Sequence, residues 1–73
     1  MTCTAIIRKE DDWYVAECAE TGTVSQGVTI EEALANLKEA TELYLDEFPA
    51  AQRGAPLLTT FEISSVSKSA VYA

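Results

Sequence analysis

The residues of this chain that could do nucleophilic or acid–base chemistry are two cysteines and twelve carboxylates. The sequence has no histidine, which is the usual general base and the commonest protein ligand of metals. Cys3 and Cys18 have no activating neighbour in sequence, and their spacing matches neither a disulfide framework nor a zinc site. We expect both to be small buried side chains in a reducing compartment. The prediction is therefore no catalytic residue, no metal ligand and no cofactor.

The carboxylates are too concentrated on one predicted element to suggest catalysis. An acid pair or a two-metal site needs carboxylates that converge from different elements, yet the strands offer only Glu17 and Glu62. Six of the twelve fall on the outer side of one helix: Glu31, Glu32, Glu39, Glu42, Asp46 and Glu47. The stretch "GTVSQG" has no following lysine, so it does not resemble a phosphate-binding loop. This distribution predicts a protein that is not an enzyme.

The charge balance indicates which partners the chain would accept. Twelve acidic residues against five basic ones give a net charge of −7. Such a domain repels phosphate backbones, so direct binding of nucleic acid is disfavoured, and a basic protein partner is favoured. The sequence shows no long apolar stretch and no charged leader, so we expect a cytoplasmic chain with no membrane partner.

A chain of 73 residues is expected to form a single domain. β-branched and aromatic runs predict strands at 2–9, 13–18, 23–27 and 57–63, and apolar periodicity predicts a helix at 29–48. A loop at 49–56 lies between two prolines. These elements give an α+β fold of order β-β-β-α-β over residues 1–63. Residues 64–73 form a serine-rich tail that would be either an interface or disordered.

The predicted helix has clear ends and two different sides. Thr29 and Glu32 form a capping box, and Pro49 ends the helix. The apolar side, from Ile30 to Phe48, would pack on the sheet. On the other side Leu43 lies among carboxylates. That side is either a solvated surface that keeps the domain soluble or a binding surface for a basic partner.

The strands are apolar on both faces, whereas one helix covers only one face. Neighbouring residues of a strand point to opposite faces, yet Ile6 and Ile7 are both apolar, as are Trp13 and Tyr14. The second face would be covered by the tail, a second subunit or a partner, or it would stay partly exposed. The candidate partner-binding residues are Trp13, Tyr14, Glu17, Glu39, Glu42, Leu43, Asp46 and Glu47.

One stretch carries a family resemblance. Residues 13–47, "WYVAECAETGTVSQGVTIEEALANLKEATELYLDE", resemble the HicB antitoxin family in an aromatic-led strand, a short polar strand with glycine, and a Thr-x-Glu-Glu-Ala helix start. The matching positions are Thr29, Glu31, Glu32, Ala33, Asn36 and Ala40. Two features depart from the family pattern: the proline-rich turn is shortened to "AETG", and Val28 replaces the usual aspartate.

This resemblance implies a fold, a partner and a function. The fold would be partial RNase H-like, with a three-stranded antiparallel meander, one helix on one sheet face, and a fourth strand parallel to the first. The implied function is to neutralise a HicA-type toxin, a small basic ribonuclease, by masking its RNA-binding and catalytic surface. Residues 64–73 are too few for the DNA-binding segment that such antitoxins usually carry, so we expect no direct contact with nucleic acid. A homo-dimer or homo-tetramer is expected.

The alternative is an orphan domain of the same fold. It would stand alone as an oligomer, bind a different protein, and have no toxin.

Overall fold

The computed structural model describes residues 1–64 and contains three strands followed by one helix. The elements are β1 (Ala5–Glu10), β2 (Trp13–Cys18), β3 (Val24–Gly27) and α1 (Ile30–Glu47). This confirms a small α+β domain with the predicted order of its first four elements. Apart from Ser64, the predicted serine-rich tail lies outside the described residues.

The three strands form one antiparallel sheet in the order β1-β2-β3. Ala5 pairs with Cys18 and Glu10 with Trp13, so β1 and β2 form a hairpin closed by the two residues Asp11 and Asp12. Asp11 has a φ of 53°, which aspartate tolerates better than most residues. The antiparallel meander predicted from the sequence is therefore present.

Helix α1 covers one face of the sheet, mainly over β3 and β2. The core between them is small and consists of Ala16, Cys18, Ala33 and Leu37. Ala5, Ile7 and Tyr14 pack around it and stay partly exposed. With so few buried side chains, α1 cannot be held by apolar packing alone.

Polar contacts and one close backbone approach complete the attachment of α1. The Asn36 side chain donates to the Gln26 carbonyl at 2.9 Å. The hydroxyls of Thr41 and Thr23 lie 2.7 Å apart, which explains why a polar residue is buried on the inner side of the helix. Gly27 lies so close to the helix that an added Cβ would be 2.6 Å from the Ala33 nitrogen. Asn36 and Ala33, two of the residues of the family resemblance, thus have structural roles.

The predicted fourth strand at 57–63 is not formed in the single chain. After α1 the described residues contain no further helix or strand up to Ser64. Leu57, Leu58, Phe61 and Ile63 are all exposed, Phe61 to 83%. A strand exists only when its backbone groups pair with a neighbouring strand, and this segment has no such neighbour within residues 1–64. We call residues 57–63 the C-terminal segment.

Within residues 1–64, no helix combines the length and the apolar character that a membrane span requires.

Candidate protein-binding surfaces

The outer side of α1 carries the surface that the sequence singled out. Because α1 buries Ala33, Leu37 and Thr41, the positions turned away from the sheet face solvent. Leu43 is 64% exposed in the middle of these positions. We call this set the acidic helix surface, and its members are Glu39, Glu42, Leu43, Asp46 and Glu47.

The charges of the acidic helix surface are not balanced locally. Residues 1–64 contain one ion pair within 4.0 Å. It joins Arg8 and Glu17 at 3.9 Å, and both residues lie on strands rather than on the helix. Helix α1 has no basic residue in its last turn, where Asp46 and Glu47 oppose the negative end of the helix dipole. The surface therefore keeps a net negative charge around one exposed leucine.

The face of the sheet opposite α1 carries a second candidate surface. The pairing register places Trp13, Val15, Glu17 and Val24 on this face. Trp13 is 49% exposed at its rim. We call it the helix-free face.

Tyr14 belongs to neither surface. Its neighbours in the register lie on the helix side of the sheet, where the side chain packs against the core. The Nζ atom of Lys9 lies 5.9 Å from the centre of its ring, a cation–π distance. The eight predicted partner-binding residues are thus divided among the acidic helix surface, the helix-free face and the core periphery, and they do not form one site.

A groove that the sequence did not reveal runs between β1 and α1. It has a volume of about 480 Å³. Cys3 and Ala5 line it on the strand side, and Leu34 and Leu45 line it on the helix side. Lys38 and Glu42 stand at its rim, so the groove borders the acidic helix surface. We call it the edge groove, because β1 is an outer strand of the sheet.

A buried carboxylate fixes the strand side of the edge groove. The Glu20 side chain accepts hydrogen bonds from the Thr4 backbone N–H at 2.7 Å and from the Thr4 hydroxyl at 2.8 Å. These bonds hold the pKa of Glu20 below its ordinary value, and the bond from the Thr4 N–H has the larger effect of the two. This buried carboxylate could not be predicted, because the turn "AETG" has the composition of a solvent-exposed loop.

The two cysteines meet at the same place. The Cys3 sulfur, the Cys18 sulfur and a Glu20 carboxylate oxygen lie within 4.8 Å of one another. Partial desolvation of the thiol, followed by a hydrogen bond with Cys18, raises the pKa of Cys3. Thiols and carboxylates are zinc-ligand types, but both Glu20 oxygens already accept hydrogen bonds, so we assign the cluster a structural role. The prediction that both cysteines are buried is correct for Cys18 and wrong for Cys3.

Arg53 ties the chain after α1 to the same turn. Its backbone N–H donates to the Glu20 carbonyl at 2.6 Å. Its guanidinium lies over Gly22, where an added Cβ would be 2.7 Å from an Arg53 nitrogen. Gly22 also has a φ of 78°, a conformation that favours glycine. We call this contact the Arg53 latch.

Comparison with known proteins assigns most of this chain to one family. A family model described as "Family of unknown function (DUF7387)" matches residues 3–65. The chain belongs to this family. A UPF0150 protein of Helicobacter pylori strain J99 is 47% identical over 51 residues, which are 68% of this chain and 71% of that protein. No solved structure matches.

The DUF7387 match extends beyond the helix. It begins at Cys3 and includes the C-terminal segment. The segment is therefore part of the DUF7387 domain rather than an appended tail, although it lies outside the sheet in the single chain.

Proposed function

We propose that this chain is a HicB-like antitoxin domain that binds a small basic toxin of the HicA type and masks the toxin's RNA-binding and catalytic surface. The observation that carries the proposal is the acidic helix surface, with exposed Leu43 among carboxylates that no described basic residue pairs. The sequence resemblance over residues 13–47 supports it. Because the proposed toxin cleaves mRNA, the proposal includes a cytoplasmic location.

The physical argument concerns both charge and desolvation. Opposite charges on two proteins speed encounter and fix their relative orientation, while an apolar side chain at the centre contributes affinity. Leu43 suits such a central position, and Glu39, Asp46 and Glu47 suit the polar rim around it.

The proposal includes the fourth strand implied by the resemblance. The C-terminal segment would pair with β1 in parallel orientation and extend the sheet. Two facts support this. The segment belongs to the matched family range. The Arg53 latch holds the chain at Glu20, whose side chain binds Thr4 at the beginning of β1.

The test is binding to the small basic protein encoded beside this chain, measured by calorimetry and by inhibition of RNA cleavage. The double variant Glu42→Lys/Asp46→Lys should weaken binding about tenfold or more, because it reverses two charges of the acidic helix surface. The double variant Glu10→Lys/Asp12→Lys changes the net charge equally, but at the β1–β2 hairpin, and should bind nearly as well as the parent. Absence of binding by the parent chain, or equal losses in both variants, would count against the proposal.

The helix-free face favours a second candidate, a stand-alone domain with a different protein partner. Trp13 is half exposed there, and aromatic side chains are enriched in protein interfaces. In that case Trp13→Ala would abolish capture of the partner, whereas reversing Glu42 and Asp46 would have little effect.

A further inference from the structure

In the part of the chain that the structure describes, no strand pairs with the outer edge of β1. The Thr4 carbonyl accepts from the Ala19 N–H at 2.9 Å, so the backbone groups of Thr4 point toward β2. Backbone groups alternate in direction along an antiparallel strand. Those of Ala5, Ile7 and Lys9 therefore point away from β2, and the first of these residues, Ala5, also lines the edge groove. An open strand edge beside an apolar groove is a template for one more strand.

The C-terminal segment has the pattern that would fill this template. In an extended conformation Leu57, Phe61 and Ile63 share one face. Leu57 is 86% and Phe61 83% exposed, so neither side chain is packed against the rest of residues 1–64. Contiguous exposed apolar side chains mark an interaction site.

The linker between the Arg53 latch and the segment favours an exchange between chains. Only Gly54, Ala55 and Pro56 separate the two. Pro56 keeps Ala55 extended, so the linker cannot make a tight reversal at that residue. Short, stiff hinges favour delivery of an element to a second copy over folding back onto the same chain. A Cβ at Gly54 would meet nothing within 4 Å, so the linker runs free of the body after the latch.

We propose that two copies of this chain exchange their C-terminal segments, each segment pairing with the β1 edge of the other copy, parallel to β1. Leu57, Phe61 and Ile63 of one copy then enter the edge groove of the other, between β1 and α1. Each copy donates one segment and accepts one, so the exchange forms a closed two-fold dimer. The outer edge of β1 is then paired in both copies. This inference goes beyond the toxin proposal. It rests on the proposed fourth strand and adds that the other copy supplies it.

The experiment uses the full chain alone, without any toxin. Light scattering and native mass spectrometry at micromolar concentration report the mass, and hydrogen exchange reports the amides of Ala5, Ile7 and Lys9. We expect a dimer in which these amides exchange about tenfold more slowly, or slower still, than in a monomeric variant.

Two variants with the same added charge locate the contact. Phe61→Glu places a carboxylate in the edge groove and should give a monomer with fast exchange at Ala5, Ile7 and Lys9. Thr60→Glu places it on the opposite face of the same segment and should leave the dimer intact. The two residues are adjacent and both exposed in the single chain, so any difference comes from the face that each occupies.

Three results would overturn the proposal. A monomer with protected β1 amides would mean that the segment docks on its own chain. A monomer with unprotected amides would mean that it does not dock. If Phe61→Glu changed neither the mass of the dimer nor the hydrogen exchange of its β1 amides, the dimer would be formed by another surface. Because toxin is absent throughout, each of these results leaves the toxin-binding test unaffected.

Discussion

At Glu20 a buried carboxylate is held by neutral donors. The Thr4 N–H, the Thr4 hydroxyl and the Cys18 thiol all point at it, at 2.7, 2.8 and 3.5 Å. These bonds favour the ionised form, and so the pKa of Glu20 is lowered on folding. One side chain thereby connects the start of β1 to the β2–β3 turn.

This arrangement makes stability depend on acid in a defined direction. A carboxyl whose pKa is lowered on folding adds stability above its unfolded pKa, and that stability is lost as pH falls through the lowered value. The variant Glu20→Gln should therefore be less stable than the parent at neutral pH, and the difference should shrink in acid. Urea unfolding at several pH values measures it. Glu10→Gln, at an exposed position, is the control, and a gap that stayed constant down to strong acid would contradict this account.

At Gly27 the backbone of β3 approaches α1 so closely that no side chain fits. An added Cβ would lie 2.6 Å from the Ala33 nitrogen and 2.8 Å from the Glu32 Cβ, so Gly27→Ala must push α1 away from β3. We expect a loss of about 1–3 kcal/mol in the free energy of unfolding, as for other overpacked sites. Gly54→Ala is the matched control, because a Cβ there meets nothing within 4 Å. Equal stability of the two variants would show that the helix moves freely.

At the scale of elements, α1 depends on its first turn because its apolar contact is small. The Thr29 hydroxyl accepts from the Glu32 N–H at 3.0 Å, and the Glu32 carboxylate accepts from the Val28 N–H at 2.7 Å. Thr29→Ala should cost about 1 kcal/mol of stability, whereas Thr29→Ser should cost little. Thermal unfolding followed by circular dichroism compares the two variants. Equal melting temperatures would mean that the capping hydrogen bond does not stabilise the protein.

This helix could be predicted because its signals are local. Thr29, Glu32 and Pro49 stand at its two ends, and all three act within a few residues. The hairpin of β1 and β2 was predictable for the same reason. The C-terminal segment reads equally well as a strand, but a strand also needs a partner edge, and no local pattern says which chain provides it.

The candidate surfaces were predictable only in part. Helical periodicity placed Leu43 and its carboxylates correctly on the outside of α1. It could not separate Tyr14 from Trp13, because the face of a strand depends on which side the helix covers. Glu20 and Arg53 meet across 33 positions in sequence, so neither the buried turn nor the edge groove beside it has a local signature.

For the whole molecule, the net charge of −7 separates the two proposed associations. Two copies repel one another, and a basic toxin is attracted. Between 0.01 M and 0.15 M salt the screening length falls from about 30 Å to about 8 Å. Added salt should therefore strengthen the dimer and weaken the toxin complex. Sedimentation and calorimetry over a salt series measure both, and parallel trends would contradict the electrostatic account.

The position of Cys3 on the edge groove gives the molecule a chemical reporter. Cys3 is exposed in the single chain, whereas Cys18 is fully buried. A docked strand beside β1 would shield the Cys3 thiol from an alkylating reagent such as iodoacetamide. Labelling should then slow as protein concentration rises, and it should be fast at every concentration in Phe61→Glu. The reaction rate of the native thiol would thus report strand exchange without an engineered label.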